Sequence, residues 1–158
     1  MAAFVPAVFY KDPIAAIRFL ETAFGFEIDS LILDGDGKLA HSQLSFGGDA
    51  VQIGGEWEGS LVGPARMRSP QSVEGVNTQF VRVTLADGID AHCERARAAG
   101  ARITAEPEDQ FYGDRVYRAL DPEGHVWNFN MEVAAFDSDA MHEKMGLKLV
   151  TELPETAS

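Results

Sequence analysis

Chemistry in this chain would have to come from a few polar side chains set at alternate positions. His41, Gln43 and Ser45 are interleaved with Leu44 and Phe46. Arg82 and Thr84 alternate with Val81, Val83 and Leu85, and Asn128 and Asn130 follow Trp127 and Phe129. On a strand, residues two apart share a face, so each polar set stands opposite an apolar set suited to a core. An imidazole at His41 could move a proton or hold a metal. A guanidinium at Arg82 could grip a carboxylate or phosphate, or pair with an acid at a rim. Tyr112 and Arg115, in Tyr112-Gly-Asp-Arg115, are candidates for ligand contact or for fixing their own loop. The remaining histidines are dispersed: His92 on a helix, His125 beside a turn and His142 in a tail. No His-Glu-x-x-His or paired-cysteine spacing is present. No Gly-rich run sits between a strand and a helix as a dinucleotide site requires. Cys93 lies on the apolar face of a helix, where packing is the ordinary role.

Bulk properties narrow the classes. The chain has 158 residues, 46% of them hydrophobic and 24% charged, as expected of one ordinary globular domain. A formal net charge of −12 argues against nucleic acid, which draws clustered Lys and Arg, and against an anionic membrane surface. A single cysteine excludes an internal disulfide and fits a reducing compartment. Residues 1–11 lack a basic region followed by a long apolar run, and Pro6 interrupts them. No signal peptide or membrane span is expected, and the cytoplasm is the expected location.

The positioning elements follow a repeated order. Residues 3–10 read as a strand ended by Lys11-Asp-Pro13, with Asp12 as N-cap and Pro13 in the first helical turn. Ile14, Ile17, Leu20 and Phe24 recur at helical spacing until Gly25. A strand over 26–33, a turn at Asp34-Gly-Asp-Gly37 and a hairpin of His41–Phe46 with Ala50–Ile53 complete β-α-β-β-β. About 75 residues later the order returns. A strand covers 78–85 and a helix runs from Ile89 to Ala99, followed by Gly100. A short strand covers 102–105 and a loop 106–114. The last hairpin turns at Asp121-Pro-Glu-Gly124, whose Pro and Gly suit a type I turn. Between the copies, 54–77 is a long Gly-, Ser- and Pro-rich connection with Trp57, Leu61, Val62 and Met67 scattered through it. A tail helix near Asp137–Leu149 would carry Met141, Met145 and Leu149 on one face, for dimer or domain packing.

These residues resemble the vicinal oxygen chelate superfamily, which includes glyoxalase I, bleomycin-resistance proteins, fosfomycin-resistance enzymes and extradiol dioxygenases. The matching pieces are Asp12-Pro-Ile-Ala-Ala-Ile-Arg-Phe-Leu20, Ala23-Phe-Gly-Phe-Glu27, His41-Ser-Gln-Leu44, Ala98-Ala-Gly-Ala101, Tyr112-Gly-Asp-Arg115 and Asp121-Pro-Glu-Gly-His-Val-Trp127. Together they span about residues 3–133, and the resemblance is closest to the bacterial glyoxalase-like and bleomycin-resistance-like branch. It implies an α+β fold in which two βαβββ modules form a cupped mixed sheet with helices on the convex side. The organisation expected is a single domain over 1–158. Its parts are a first module at 3–54, a connecting arm at 55–77, a second module at 78–133 and a tail at 134–158.

Relatives hold a divalent metal in the cup with His and Glu from the first and last strands of each module. Carried over, those positions are Val5, Gln52, Phe80 (or Gln79) and Asn128, none of them a good ligand, so no metal and no other cofactor is expected. With Gln52 and Asn128 facing inward, the cup is lined by His41, Gln43, Gln52, Phe80, Arg82, Thr84, Asn128 and Asn130, with Tyr112 and Arg115 at its edge. Such a lining suits a polar, planar or anionic small molecule. Two functions stay open. One is a metal-independent homodimer that binds or sequesters a small molecule, as a resistance protein does. The other is a lyase, isomerase or dioxygenase-type enzyme on a small oxygenated substrate. The enzyme would use His41 as general base, or a divalent metal on an unusual set such as His41 with Glu56. Binding is the favoured reading, because His41 alone could serve as a base.

Overall fold

Asp12 and Pro13 start the first helix as their types require. In the computed structural model, which describes residues 2–58 and 63–155, the Asp12 carboxylate accepts a hydrogen bond from the Ala15 N–H at 3.0 Å. Strand β1 (Ala7–Tyr10) leads into helix α1 (Pro13–Phe19), which continues as a π-helical turn over Leu20–Phe24. Gly25 closes that turn at φ +79°, and a Cβ there would lie 3.0 Å from Arg95 Nη1. Arg95 explains the crowding: its Nε and Nη2 donate to the Thr22 and Glu21 carbonyls at 2.8 Å each, capping the turn from the other module. Strands β2 (Glu27–Leu33), β3 (Leu39–Phe46) and β4 (Asp49–Gly55) complete the first module.

The connecting arm carries secondary structure of its own. It holds a small hairpin of β5 (Trp57–Glu58) with β6 (Arg66–Met67), then a 3-10 turn over Pro70–Val73. Leu61 and Val62 lie outside the described residues. The second module comprises β7 (Val81–Thr84), α2 (Ile89–Ala98), β8 (Arg102–Asp109), β9 (Asp114–Leu120) and β10 (Val126–Glu132). Helix α3 (Ser138–Met145) follows and is closed by Gly146.

Several sequence expectations change. The first strands of both modules are shorter than read, starting at Ala7 and Val81. The loop expected over 106–114 is strand as far as Asp109. Register shifts around Thr104 and between Ala105 and Glu108 absorb the irregularity, and Pro107 is tolerated because β8 is an edge strand. The Met141, Met145 and Leu149 stripe is broken, since α3 ends at Met145 and leaves Leu149 beyond the cap.

The strands form two four-stranded sheets of matching order, β1-β4-β3-β2 and β7-β10-β9-β8. In each, the first strand runs parallel to the last and the other pairs are antiparallel. One core joins the two helix-bearing faces. Val8, Tyr10, Leu44, Val51 and Ile53 come from the first sheet, and Val83, Tyr117, Ala119, Trp127 and Phe129 from the second. Phe24 lies between them, 5.5 Å from the Trp127 ring and 4.8 Å from the Phe129 ring. Burying one such ring stabilises by roughly 2–3 kcal/mol.

Two polar clusters cross the same junction. Asp121 Oδ2 accepts from the Tyr10 hydroxyl at 2.6 Å and from Trp127 Nε1–H at 3.0 Å. Its other oxygen accepts from the Glu123 and His125 backbone N–H groups. Burial first, then the Asp121 charge, holds the Tyr10 phenol well above its ordinary value. The same turn reaches β1 through His125 Nε2–H to the Phe9 carbonyl at 2.6 Å. It also reaches α1 through Glu123, which accepts from the Lys11 and Asp12 N–H groups. In the second cluster, His92 Nε2 stands 2.9 Å from the Phe24 carbonyl and Nδ1 2.7 Å from the Tyr117 hydroxyl. A carbonyl only accepts, so Nε2 carries the proton and Nδ1 accepts from Tyr117. Burial holds the His92 imidazole below its usual range. No helix among the described residues is long and apolar enough to cross a membrane.

Candidate functional site

The faces turned away from the helices carry most of the chemistry, and strand register arranges it in rows. Across the second sheet, β7, β10 and β9 place Arg82, Asn128 and Arg118 side by side. The next row is Thr84, Asn130 and Val116. On the other side, Val126 pairs with Leu120, and Phe80 lies alongside Val126 because its neighbour Val81 pairs with Trp127.

These rows differ in how far they are satisfied. Asn130 is buried, and its Oδ1 accepts from Arg82 Nε at 2.8 Å and from the Thr84 hydroxyl at 3.3 Å. Its Nδ2 donates to Asp114 Oδ2 at 2.9 Å, and Arg82 Nη2 reaches the same oxygen at 2.9 Å. Arg82, Thr84, Asn130 and Asp114 are thus one closed network, and the Arg82 charge is offset by Asp114. Arg118 is held differently. Its Nε donates to Asn128 Oδ1 at 2.9 Å, while among the described residues its terminal nitrogens have no partner and no carboxylate lies within 4.0 Å. A guanidinium only donates, so it must face Asn128 Oδ1, and Asn128 Nδ2 is left for another partner.

On the first sheet Gln52 sits beside Ala7, and continuing the Leu44–Val51 pairing sets Gln43 on its other side. Gln43 and Ser45 donate to Asp29 at 3.3 and 2.7 Å. His41 and Gln52 line a hollow of about 500 Å³ with Phe9, Gly54, Glu56 and Trp57, the Phe9 and Trp57 rings meeting edge to face at 6.4 Å. Glu56 is committed to the arm. It accepts from the Ser69 N–H at 2.9 Å, and chiefly a Ser72 side-chain hydrogen bond holds its carboxyl below the usual range.

The sequence-predicted residues therefore separate. Arg82, Thr84 and Asn130 come together, Asn128 and Phe80 stand in adjacent rows, and His41, Gln43 and Gln52 lie on the other sheet. Tyr112 sits in the turn before β9 with its ring 5.1 Å from Phe111. Arg115 points to the helix side, where it pairs with Asp90 of α2 at 3.0 Å and Asp109 at 2.8 Å. Those acids raise its pKa further. Sequence reasoning missed Arg118 and Asp114. Both share the parity of Val116 on β9, a signal that becomes usable only once the β9–β10 register is fixed.

A divalent metal does not fit. Register sets Ala7 beside Gln52 and Arg82 beside Asn128, and the carried-over Val5 and Phe80, two residues before Ala7 and Arg82, have no ligand atom on their side chains. None of the four neighbours offers an imidazole, carboxylate or thiolate, and Arg82 brings a fixed positive charge. Among the described residues the one cluster close enough for a metal is Cys93 with Glu94 and Glu106. Arg97 already bridges both carboxylates there, at 3.3 and 2.6 Å, and burial pushes the Cys93 thiol up to about 11.

A family model described as Glyoxalase/Bleomycin resistance protein/Dioxygenase superfamily matches residues 4–129. An uncharacterized protein of Mycobacterium bovis is 30% identical over 140 residues, covering 89% of this chain and 90% of that protein. Among solved structures, TioX from Micromonospora sp. ML1 is 29% identical with a TM-score of 0.64, over 86% of this chain and all of that one. The fosfomycin resistance protein FosX from Mesorhizobium loti is 14% identical with a TM-score of 0.54, over 82% and 91% of the two chains, a likeness of fold alone.

Proposed function

The chain belongs to the Glyoxalase/Bleomycin resistance protein/Dioxygenase superfamily, and from that premise we propose that it binds a small molecule in the cup without a metal. It would sequester that molecule rather than transform it. One observation supports this reading: Val5, Gln52, Phe80 and Asn128, the positions the resemblance assigns to the metal ligands, offer no imidazole, carboxylate or thiolate, and the register neighbours of Gln52 and Asn128, Ala7 and Arg82, offer none either. Carboxamides and a guanidinium hold a ligand by hydrogen bonds, and they neither activate water nor polarise a carbonyl as a bound cation does. The proposal extends to a cytoplasmic homodimer. It is supported by the outer edges of β2 and β8, which end the two sheets opposite β1 and β7, and by exposed Ile32 and Leu33 on β2.

A second reading, general-base catalysis by His41, is favoured by one feature: the imidazole opens into the 500 Å³ hollow with no hydrogen-bond partner among the described residues. Elemental analysis of protein purified without chelator, followed by a thermal-shift screen of small aromatic and oxygenated compounds, separates the two readings. The expected result is substoichiometric transition metal and stabilisation by a compound recovered unchanged. A stoichiometric zinc, nickel, iron or manganese content sinks the metal-free proposal, and turnover abolished by His41→Ala replaces sequestration with catalysis.

A further inference from the structure

We infer that the second sheet recognises a carboxylate attached to an apolar or aromatic body, with Arg118 as the residue that selects the charge. This deepens the metal-free reading, on which it rests. Two adjacent rows supply the two halves of the ligand. The row of Arg82, Asn128 and Arg118 is polar, and the row of Phe80, Val126 and Leu120 beside it is wholly apolar. Residues two apart along a strand are separated by roughly 6.6 Å, about the distance from a carboxylate to the far edge of a benzene ring. Phe80 is an exposed aromatic with 60% of its surface open, and it lines a shallow depression of about 470 Å³ with Val126.

The charge expected of the ligand follows from which guanidinium is uncommitted. Arg82 is neutralised by Asp114 and tied to Asn130, so it offers little net attraction. Arg118 is fixed in orientation by Asn128 yet keeps its terminal donors, and the neighbouring Asn128 Nδ2 is a further donor beside them. A planar fork plus one amide N–H matches the two oxygens of a carboxylate. A dianion is disfavoured. Glu108 and Asp114 lie on the same face, as the pairing of Glu108 with Val116 and the Asp114 bonds require, and the chain as a whole carries −12. One uncommitted cation among these acids suits one negative charge.

The test titrates sodium benzoate, benzamide and inorganic phosphate into the full chain, following backbone amide chemical shifts. Benzoate is expected to shift residues of β7, β9 and β10, with benzamide at least tenfold weaker and phosphate failing to displace benzoate at equal concentration. Arg118→Gln is expected to lower benzoate affinity at least tenfold and leave benzamide unchanged. Phe80→Ala should weaken both by a similar factor of about three. Arg118→Lys keeps the charge without the fork and should fall between; it also serves if Arg118→Gln does not fold. Arg18→Gln, exposed on helix α1 and away from the cup, should change nothing. Equal binding of benzoate and benzamide, wild-type benzoate affinity in Arg118→Gln, phosphate competing on equal terms, or no benzoate binding at all would each overturn the inference. The metal-free reading survives every one of those outcomes and falls only to the metal analysis.

Discussion

In the first module the row of Ala7, Gln52 and Gln43 crosses its sheet without a charge, whereas Arg82, Asn128 and Arg118 set two guanidiniums in the same place on the second. The connecting turns differ as much. Between β3 and β4, Gly47 and Gly48 stand exposed with nothing within 4 Å of where a Cβ would be. Between β9 and β10, the turn headed by Asp121 is built into the junction with β1 and α1. One unit, repeated, has thus kept its backbone and divided its duties. The second copy holds the halves together and presents charge, and the first offers an aromatic-walled hollow.

Breaking the stronger turn should have the largest effect. Asp121→Ala strands the Tyr10 hydroxyl and the Trp127 indole N–H in the core and should lower unfolding stability by about 3–4 kcal/mol in urea denaturation. A loss below about 1 kcal/mol would make the two turns equivalent after all. Gly48→Ala tests the weaker turn. At φ +92° with open space around it, the cost is conformational alone, about 1–2 kcal/mol, and a larger loss would show that this turn too is anchored.

The smallest effect expected is a slope. The folded His92 imidazole titrates below its unfolded value, so the folded chain binds fewer protons than the unfolded one between those two pKa values. Stability is then full above the ordinary imidazole range, near pH 6.5, and declines as pH falls through it, levelling off below the depressed folded pKa. Denaturation curves between pH 8 and 5 should show that decline, and His92→Gln should remove its share of it. An unchanged slope in the variant would place the titration elsewhere in the molecule.

Much of this was legible in the chain. Asp12 with Pro13, Gly25, and the Asp121-Pro-Glu-Gly124 turn announce local structure because their geometry is decided within four residues. Alternation likewise put Val81 and Val83, and Trp127 and Phe129, on the core side, where they are found. What stayed hidden depends on pairing between distant strands. Pro107 reads as a loop residue until β8 is known to be an edge, and alternation puts Arg115 and Arg118 on opposite faces without saying which one meets the cup until the β9–β10 register is known. Asp114 could not be seen as the group that neutralises Arg82, 32 residues upstream. Resemblance pointed to the cup, while its charge pattern emerged only from cross-strand neighbours.

The bond from Tyr10 to Asp121 spans 111 positions, and that from the Phe9 carbonyl to His125 spans 116. During synthesis the Tyr10 phenol emerges bare, and its acceptor follows 111 residues later. Strand β1 has its β4 partner well before that, so its docking to the second module is the late step. Any product cut short before residue 121 leaves that flank of β1 uncovered for chaperones and proteases to find.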